Sequence, residues 1–562
     1  MLEELANNFE AYEKAQNTMT KVDGHTLVAQ SLKNLGVTHV YSVAGTPIRE
    51  TFSKCAELGM RPIGVRHQQA GVLMAIAQNY VMGRLAAVAL FSAGPAITNA
   101  ATGILVAKDN CWPMVILGGR RPLSMRGMGS FQELDAVSIF QSITKWSAVV
   151  EKTSQIPRYL EDAFKIAMSG RPGPVYLDLP EDVLTATSHA SVVPASAASN
   201  TPQLDENETE AAADLLLRAR RPAMIIGKGV RWSEPFAEML RLVDEFHIPF
   251  ITSPMGRGYL PDDHPRCFNN ARGLVQQKAD AILLLGARLD WTFRFGTQVA
   301  HDAKIIQIDI HEPELGVNRA PSVGILGDVK MVLQRILASM ALKLSAAPNR
   351  NLQPWLALLA AERESRQRKL NALMESDALP MSPHRLFKEI KDFLPRQAIC
   401  ILDGNVSMAA GQPVLPAYLA ASRFTAGSNG CMGVGVPFAV GAKIAQPDRT
   451  VIAVCGDMGF ALSAMDMETA VRHKIAVIVV VVNNDGNTGA IMEKSFFPGY
   501  QERITMFQPD IHYEKIMRTF GGHAEYVERP EQLQPALERA AACGKAVCIN
   551  VKVDPHAPYP ND

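Results

Sequence analysis

The chain lacks any excess of charge: Lys+Arg and Asp+Glu number 56 each among its 562 residues. That balance provides no net field to draw nucleic acid or an anionic membrane surface, so neither is expected as a partner. Cysteine is sparse, eight residues with no C-x-x-C pair, which argues against a zinc site or a disulfide framework and suits a reducing compartment. Cys400 and Cys455 lie inside apolar runs and read as core. No uninterrupted apolar run approaches the ~18 residues of a membrane span, and the acidic start M-L-E-E-L-A-N-N has no apolar leader-like stretch. These absences together predict a soluble cytoplasmic protein.

What is present is alternation. Short apolar runs at 39–43, 62–65, 86–90 and 113–117 are separated by stretches with helical spacing, and the pattern closes at 174–180. Runs at 222–226, 249–252, 281–285 and 304–310 repeat it, and so do 398–402, 451–455, 475–482 and 546–553. Strands alternating with helices predict parallel sheets, hence an α/β protein of three Rossmann-like, doubly wound domains. The boundaries read as an N-terminal arm over 1–20, a first domain over 21–185 and a Ser/Ala/Pro-rich linker over 186–205. A central domain over 206–345, a second linker over 346–381 and a third domain over 382–562 complete the chain.

The stretch 451–493 carries the chemistry. A β-branched run ends at Gly456-Asp457-Met458-Gly459, a helical segment follows, and a second run ends at Asn483-Asn484-Asp485-Gly486. Ligands of open parallel sheets sit beyond the carboxyl ends of strands, where this chain offers Asp457 on one strand and Asn484 on another. A carboxylate, an amide oxygen and a backbone carbonyl suit Mg2+ whose remaining positions are filled by phosphate oxygens. The N–H groups of Met458 and Gly459, opening the helix, would face those phosphates.

G-D-x, about 25 residues and then N-N resembles the diphosphate and metal motif of thiamine-diphosphate-dependent enzymes. The resemblance extends over nearly the whole chain through 110–113, 128–133, 226–229, 254–258, 286–291 and 430–435. Within the family it is nearest to 2-hydroxyacyl-CoA lyases and oxalyl-CoA decarboxylases. It implies a pyrimidine-binding, a central and a diphosphate-binding domain, with thiamine diphosphate and Mg2+ as cofactors. By the same resemblance Asp457, Asn484 and the Gly486 carbonyl are metal ligands, and Asn405 contacts the diphosphate. The Gly430 carbonyl accepts from the cofactor's amino group, and Met432 is the apolar wedge that bends it. Gln132 would face the thiazolium and substrate. Glu493, nine positions after Asn484, would be an acid/base at the rim.

Two departures stand out. The family's R-x-E-Q-A glutamate, which trades a proton with the pyrimidine, is Gln68 within Arg66-His67-Gln68-Gln69-Ala70. An amide can hydrogen-bond there but cannot exchange a proton. A substitution made to trap a bound state, a natural variant that activates the cofactor differently and a silent homologue are all open readings. The chain also stops soon after Val553, where the CoA-using relatives carry a lid; either the lid is missing or the acyl-CoA assignment is insecure.

Arg171, Lys228, Arg288 and Asp309, assigned to the central domain, and Arg257 would bind ADP or the nucleotide of CoA. The implied reaction is cleavage of a 2-hydroxyacyl-CoA to an aldehyde or ketone plus formyl-CoA. Oxalyl-CoA decarboxylation, a carboligation of 2-oxo acids resembling acetohydroxyacid synthase, and a cofactor-binding homologue without activity are the alternatives. The family builds its sites between subunits, which implies a homodimer or homotetramer.

Overall fold

The computed structural model describes residues 21–190, 192, 204–343, 351–487 and 489–557. The proposed arm over 1–20 lies outside them. The chain divides into two compact units, 1–198 and 199–562.

The first unit holds a six-stranded sheet with spatial order Arg61–Gly64, His39–Ser42, Ala87–Phe91, Met114–Arg120, Pro174–Pro180 and Trp146–Val149. Every neighbouring pair is parallel. The runs forming its inner strands are continuously apolar because helices cover both faces, and Ala87–Phe91 and Met114–Arg120 are buried throughout.

The second unit holds two parallel sheets. The central one runs Phe250–Thr252, Pro222–Ile226, Ala281–Leu285, Lys304–Asp309 and Val323–Leu326. The other runs Arg423–Phe424, Ile399–Asp403, Val451–Gly456, Ile478–Asn483, Val547–Lys552 and His523–Val527. Three doubly wound α/β sheets are therefore present, as the alternation predicts. Cys400 and Cys455 are buried within them, and all eight cysteines are free thiols.

In each sheet the chain first steps to one side and then to the other, so the order reverses between one pair of neighbours. These pairs are His39–Ser42 with Ala87–Phe91, Pro222–Ile226 with Ala281–Leu285, and Ile399–Asp403 with Val451–Gly456. Loops leaving their carboxyl ends diverge and open a crevice.

Two segments differ from the linker reading. Of 186–205, residues 191 and 193–203 lie outside the described residues, but Thr187–Ser188 pairs antiparallel with Val22–Asp23. Residues 346–381 are not a plain linker: Gln353–Met374 is a helix of 22 residues. Its polar composition hides an apolar edge, because Trp355 and Leu359 are buried against the central sheet's Ile282 and Leu284. Trp355 Nε1–H donates to the Pro222 carbonyl at 3.0 Å. Met374, at the other end, joins the core of the third sheet. No helix among the described residues is long and apolar enough to cross a membrane.

Candidate active site

Asp457 begins the helix Asp457–Ser463 directly after the strand Val451–Gly456. Gly456 pairs with Val482 of the adjacent strand, so Asp457 stands level with the Asn483-Asn484 turn. Its carboxylate is 1% exposed and accepts from Gly486 N–H at 2.9 Å and Met458 N–H at 2.7 Å. Carboxylate and glycine loop are thus joined directly, with buried Asn484 between them in sequence.

Burial pushes the Asp457 carboxyl up to about 7; the two N–H donors and Lys552 oppose that rise, and the Asp485 carboxylate adds to it. A buried carboxylate so destabilised as an anion gains most from a hard cation. No group of three His, Cys, Asp or Glu able to hold a metal occurs among the described residues. The donor set here is instead one carboxylate, one amide and one carbonyl, and it fits Mg2+ shared with a diphosphate. Met458 differs from expectation, since its N–H is spent on Asp457. Gly459 leaves room that a side chain would take: a Cβ there would lie 3.0 Å from the Asp403 carboxylate.

Asp403 is a site residue that motif reading missed. It ends the strand Ile399–Asp403 and accepts from Gly433 N–H at 3.1 Å and Gly435 N–H at 2.8 Å. Burial pushes its carboxyl up to about 6 against those donors. It thereby holds the loop carrying Gly430 and Met432. Gly430 is exposed with φ +68, and Met432 is half-buried. Asn405 starts the next helix, exposed, after Gly404 at φ +90. The only available signal for Asp403 was a carboxylate closing an apolar run; its partners lie about 30 residues on.

In the first unit, Gln68 is buried at the first position of the helix Gln68–Met82. Asn99 Nδ2 donates to its Oε1 at 3.2 Å. Gln132 has a left-handed φ of +60, and its Cβ would lie 2.8 Å from a Cβ on Gly94. Gln68, Asn99 and Gln132 follow the carboxyl ends of Arg61–Gly64, Ala87–Phe91 and Met114–Arg120 respectively, at one edge of their sheet. Glu493 is turned to its own loop. It accepts from Ile504 N–H and Thr505 N–H at 2.7 Å each and from the Thr505 hydroxyl. The Thr505 hydroxyl and the Ile504 N–H hold its carboxyl below the usual glutamate range.

The proposed nucleotide set divides. Lys228, Arg288 and Asp309 follow or end three adjacent strands of the central sheet, Lys228 and Arg288 flanking its crevice. Backbones meet closely there: a Cβ on Gly227 would lie 2.1 Å from the Gly286 carbonyl oxygen. Arg288 pairs with Glu314 at 3.4 Å. Arg171, by contrast, belongs to the first unit, where it precedes the strand Pro174–Pro180 and donates to Cys111 Sγ at 3.0 Å. Arg257 is consumed: it pairs with Asp262 and donates to the carbonyls of Gln412 at 2.9 Å and Leu415 at 3.3 Å. Its role is to join the central and third domains.

A three-sheet α/β chain with a carboxylate, an amide and a glycine loop gathered at adjacent strand ends suits a diphosphate-cofactor enzyme. Residues 22–139, 209–336 and 404–551 match the N-terminal TPP-binding, central and C-terminal TPP-binding domains of thiamine pyrophosphate enzymes. The chain belongs to the thiamine-diphosphate-dependent enzyme family. It is 34% identical to 2-hydroxyacyl-CoA lyase 1 of Mus musculus, over 97% of this chain and 96% of that one. It is 32% identical to a probable acetolactate synthase of Mycobacterium bovis, over 95% and 96%. With oxalyl-CoA decarboxylase of Escherichia coli it shares 28%, over 95% of each.

Proposed function

We propose that the protein is a carbon–carbon lyase that cleaves a 2-hydroxyacyl-CoA into an aldehyde or ketone and formyl-CoA, and joins the same pair in reverse. The observation that carries the cofactor side is the buried Asp457 carboxylate bonded to the Gly486 loop. The substrate side is supported by full-length similarity to chains named 2-hydroxyacyl-CoA lyase. Bound thiamine diphosphate supplies the electron sink that lets the bond between the hydroxylated carbon and the thioester carbonyl break.

The chain's own residues do the rest. Asp457, Asn484 and the Gly486 carbonyl would hold Mg2+, and Gly459 and Asn405 would border the diphosphate. The Gly430 carbonyl would accept from the aminopyrimidine, and Met432 would pack against the cofactor's rings. Gln68 would hydrogen-bond the pyrimidine nitrogen without exchanging a proton, and Gln132 would border the substrate. Glu493 serves by clasping the 489–505 loop. Lys228 and Arg288, with Asp309 for a ribose, form the edge for ADP or the CoA nucleotide. The working form is a cytoplasmic homodimer or homotetramer with sites between subunits.

Similarity to an acetolactate synthase supports a second reading, carboligation of free 2-oxo acids. Calorimetry with CoA and with ADP separates the two: micromolar binding of either is expected, and binding of neither discards the acyl-CoA assignment. Formyl-CoA released from a 2-hydroxyacyl-CoA, with no product from pyruvate, is the expected assay result.

A further inference from the structure

The loop bearing Gly430 and Met432 is anchored at two points, and the anchors come from different sheets of the second unit. On its far side Asp403 receives the N–H groups of Gly433 and Gly435. On its near side the anchor is Ser428, and the partners belong to the central domain. The Ser428 hydroxyl donates to Asp290 Oδ2 at 3.3 Å and accepts from Lys228 Nζ at 3.4 Å. Trp291 Nε1–H donates to the Ser428 carbonyl at 3.2 Å. Between the anchors Gly430 is exposed, and a Cβ placed there would meet nothing within 4 Å. The loop is thus hydrogen-bonded at both ends, around an exposed glycine.

The central-domain side of this latch is itself fixed. Asp290 accepts from Thr292 N–H at 3.0 Å and from the Thr292 hydroxyl at 2.6 Å. Asn318 Nδ2 holds the Leu289 carbonyl at 2.8 Å. Trp291 is 48% exposed, so core burial does not explain where its indole points; its N–H is committed to Ser428.

We propose that Ser428 is a positioning residue through which Asp290, Lys228 and Trp291 of the central sheet set the height of the Gly430–Met432 loop, and with it the affinity for thiamine diphosphate. The inference rests on Gly430 and Met432 being cofactor contacts. Its test uses the full-length protein with Mg2+, titrated with thiamine diphosphate by calorimetry, together with amide hydrogen exchange over 427–435. Ser428→Ala and Trp291→Phe each weaken cofactor binding by about 5-fold, the effect of one modest hydrogen bond. Exchange at Cys431 and Met432 accelerates in both, while Ser428→Thr, which keeps the hydroxyl, restores affinity. Unchanged affinity in both variants overturns the proposal, as does a loss that Ser428→Thr shares. Failure of the unaltered protein to bind thiamine diphosphate overturns both this inference and the cofactor reading, and is seen before any variant is compared.

Discussion

At the residue scale the decisive side chain is Gln68. Its amide oxygen is engaged by Asn99, and the position proposed to face the pyrimidine carries an amide, not a carboxyl. Restoring one by Gln68→Glu is expected to raise C2 proton exchange of the bound cofactor by ~10²-fold or more, the usual weight of general acid–base help. Exchange rates followed by NMR check it, and equal rates would show that Gln68 does not limit activation. Asp457 makes a second prediction. Asp457→Ala removes the carboxylate from the proposed metal set, so the Mg2+-dependent part of thiamine-diphosphate affinity measured by calorimetry is expected to fall at least ~10-fold. An Mg2+ dependence that survives intact contradicts the metal assignment.

At the element scale, hydrogen bonds from one side chain govern whole loops. Glu493 clasps the chain between the helix Gly489–Phe496 and Thr505. Glu493→Gln is expected to speed amide exchange at Ile504 and Thr505 selectively, leaving the strand Ile478–Asn483 protected; uniform acceleration would mean a global loss instead. Tyr176 and Asp178 of the strand Pro174–Pro180 form a buried trio with Arg120 of the neighbouring strand, and Tyr176 hydroxyl and Arg120 both donate to Asp178, at 2.5 Å and 2.9 Å. Burial raises the Asp178 carboxyl to about 6 in spite of those donors. The folded chain therefore holds a proton there that the unfolded chain has already lost. The sign is that this group costs stability as pH rises from about 4 to 6, by about 3 kcal/mol at most, and the cost is constant above. Thermal midpoints of the wild type and Asp178→Asn should diverge in the variant's favour across that window and run parallel above pH 6.

At the scale of the whole molecule, three sheets share one winding rule, and each places its candidate residues at the carboxyl edge. Gln68 and Gln132, Lys228 and Arg288, and Asp457 with Asn405 all follow strand ends. The helix Gln353–Met374 ties the central and third domains, with Trp355 in one core and Met374 in the other. Trp355→Ala is expected to cost ~3–5 kcal/mol, the usual range for a buried tryptophan, read as a lower denaturant midpoint. A midpoint unchanged within error would mean that the helix is not part of the domain's cooperative core.

Local pattern determined the strands with continuous apolar runs, since a strand buried on both faces leaves that trace in composition. The nearness of Asp457 to the Asn483-Asn484 turn followed, because adjacent parallel strands end level, with Gly456 beside Val482. Edge strands such as Trp146–Val149 and His523–Val527 left no such trace, being mostly half-exposed. The helix 353–374 was hidden for a related reason: a few apolar positions suffice when most of its surface meets water. Only the tertiary structure decided the partners of charged and polar groups. Arg257 is spent on Asp262 and on carbonyls more than 150 residues away, Arg171 sits in the first unit, and Glu493 closes its own loop. Asp403 and Ser428 acquire their roles from chain that periodicity cannot bring near. Burial is written residue by residue, whereas a hydrogen-bond partner is chosen by packing across the fold.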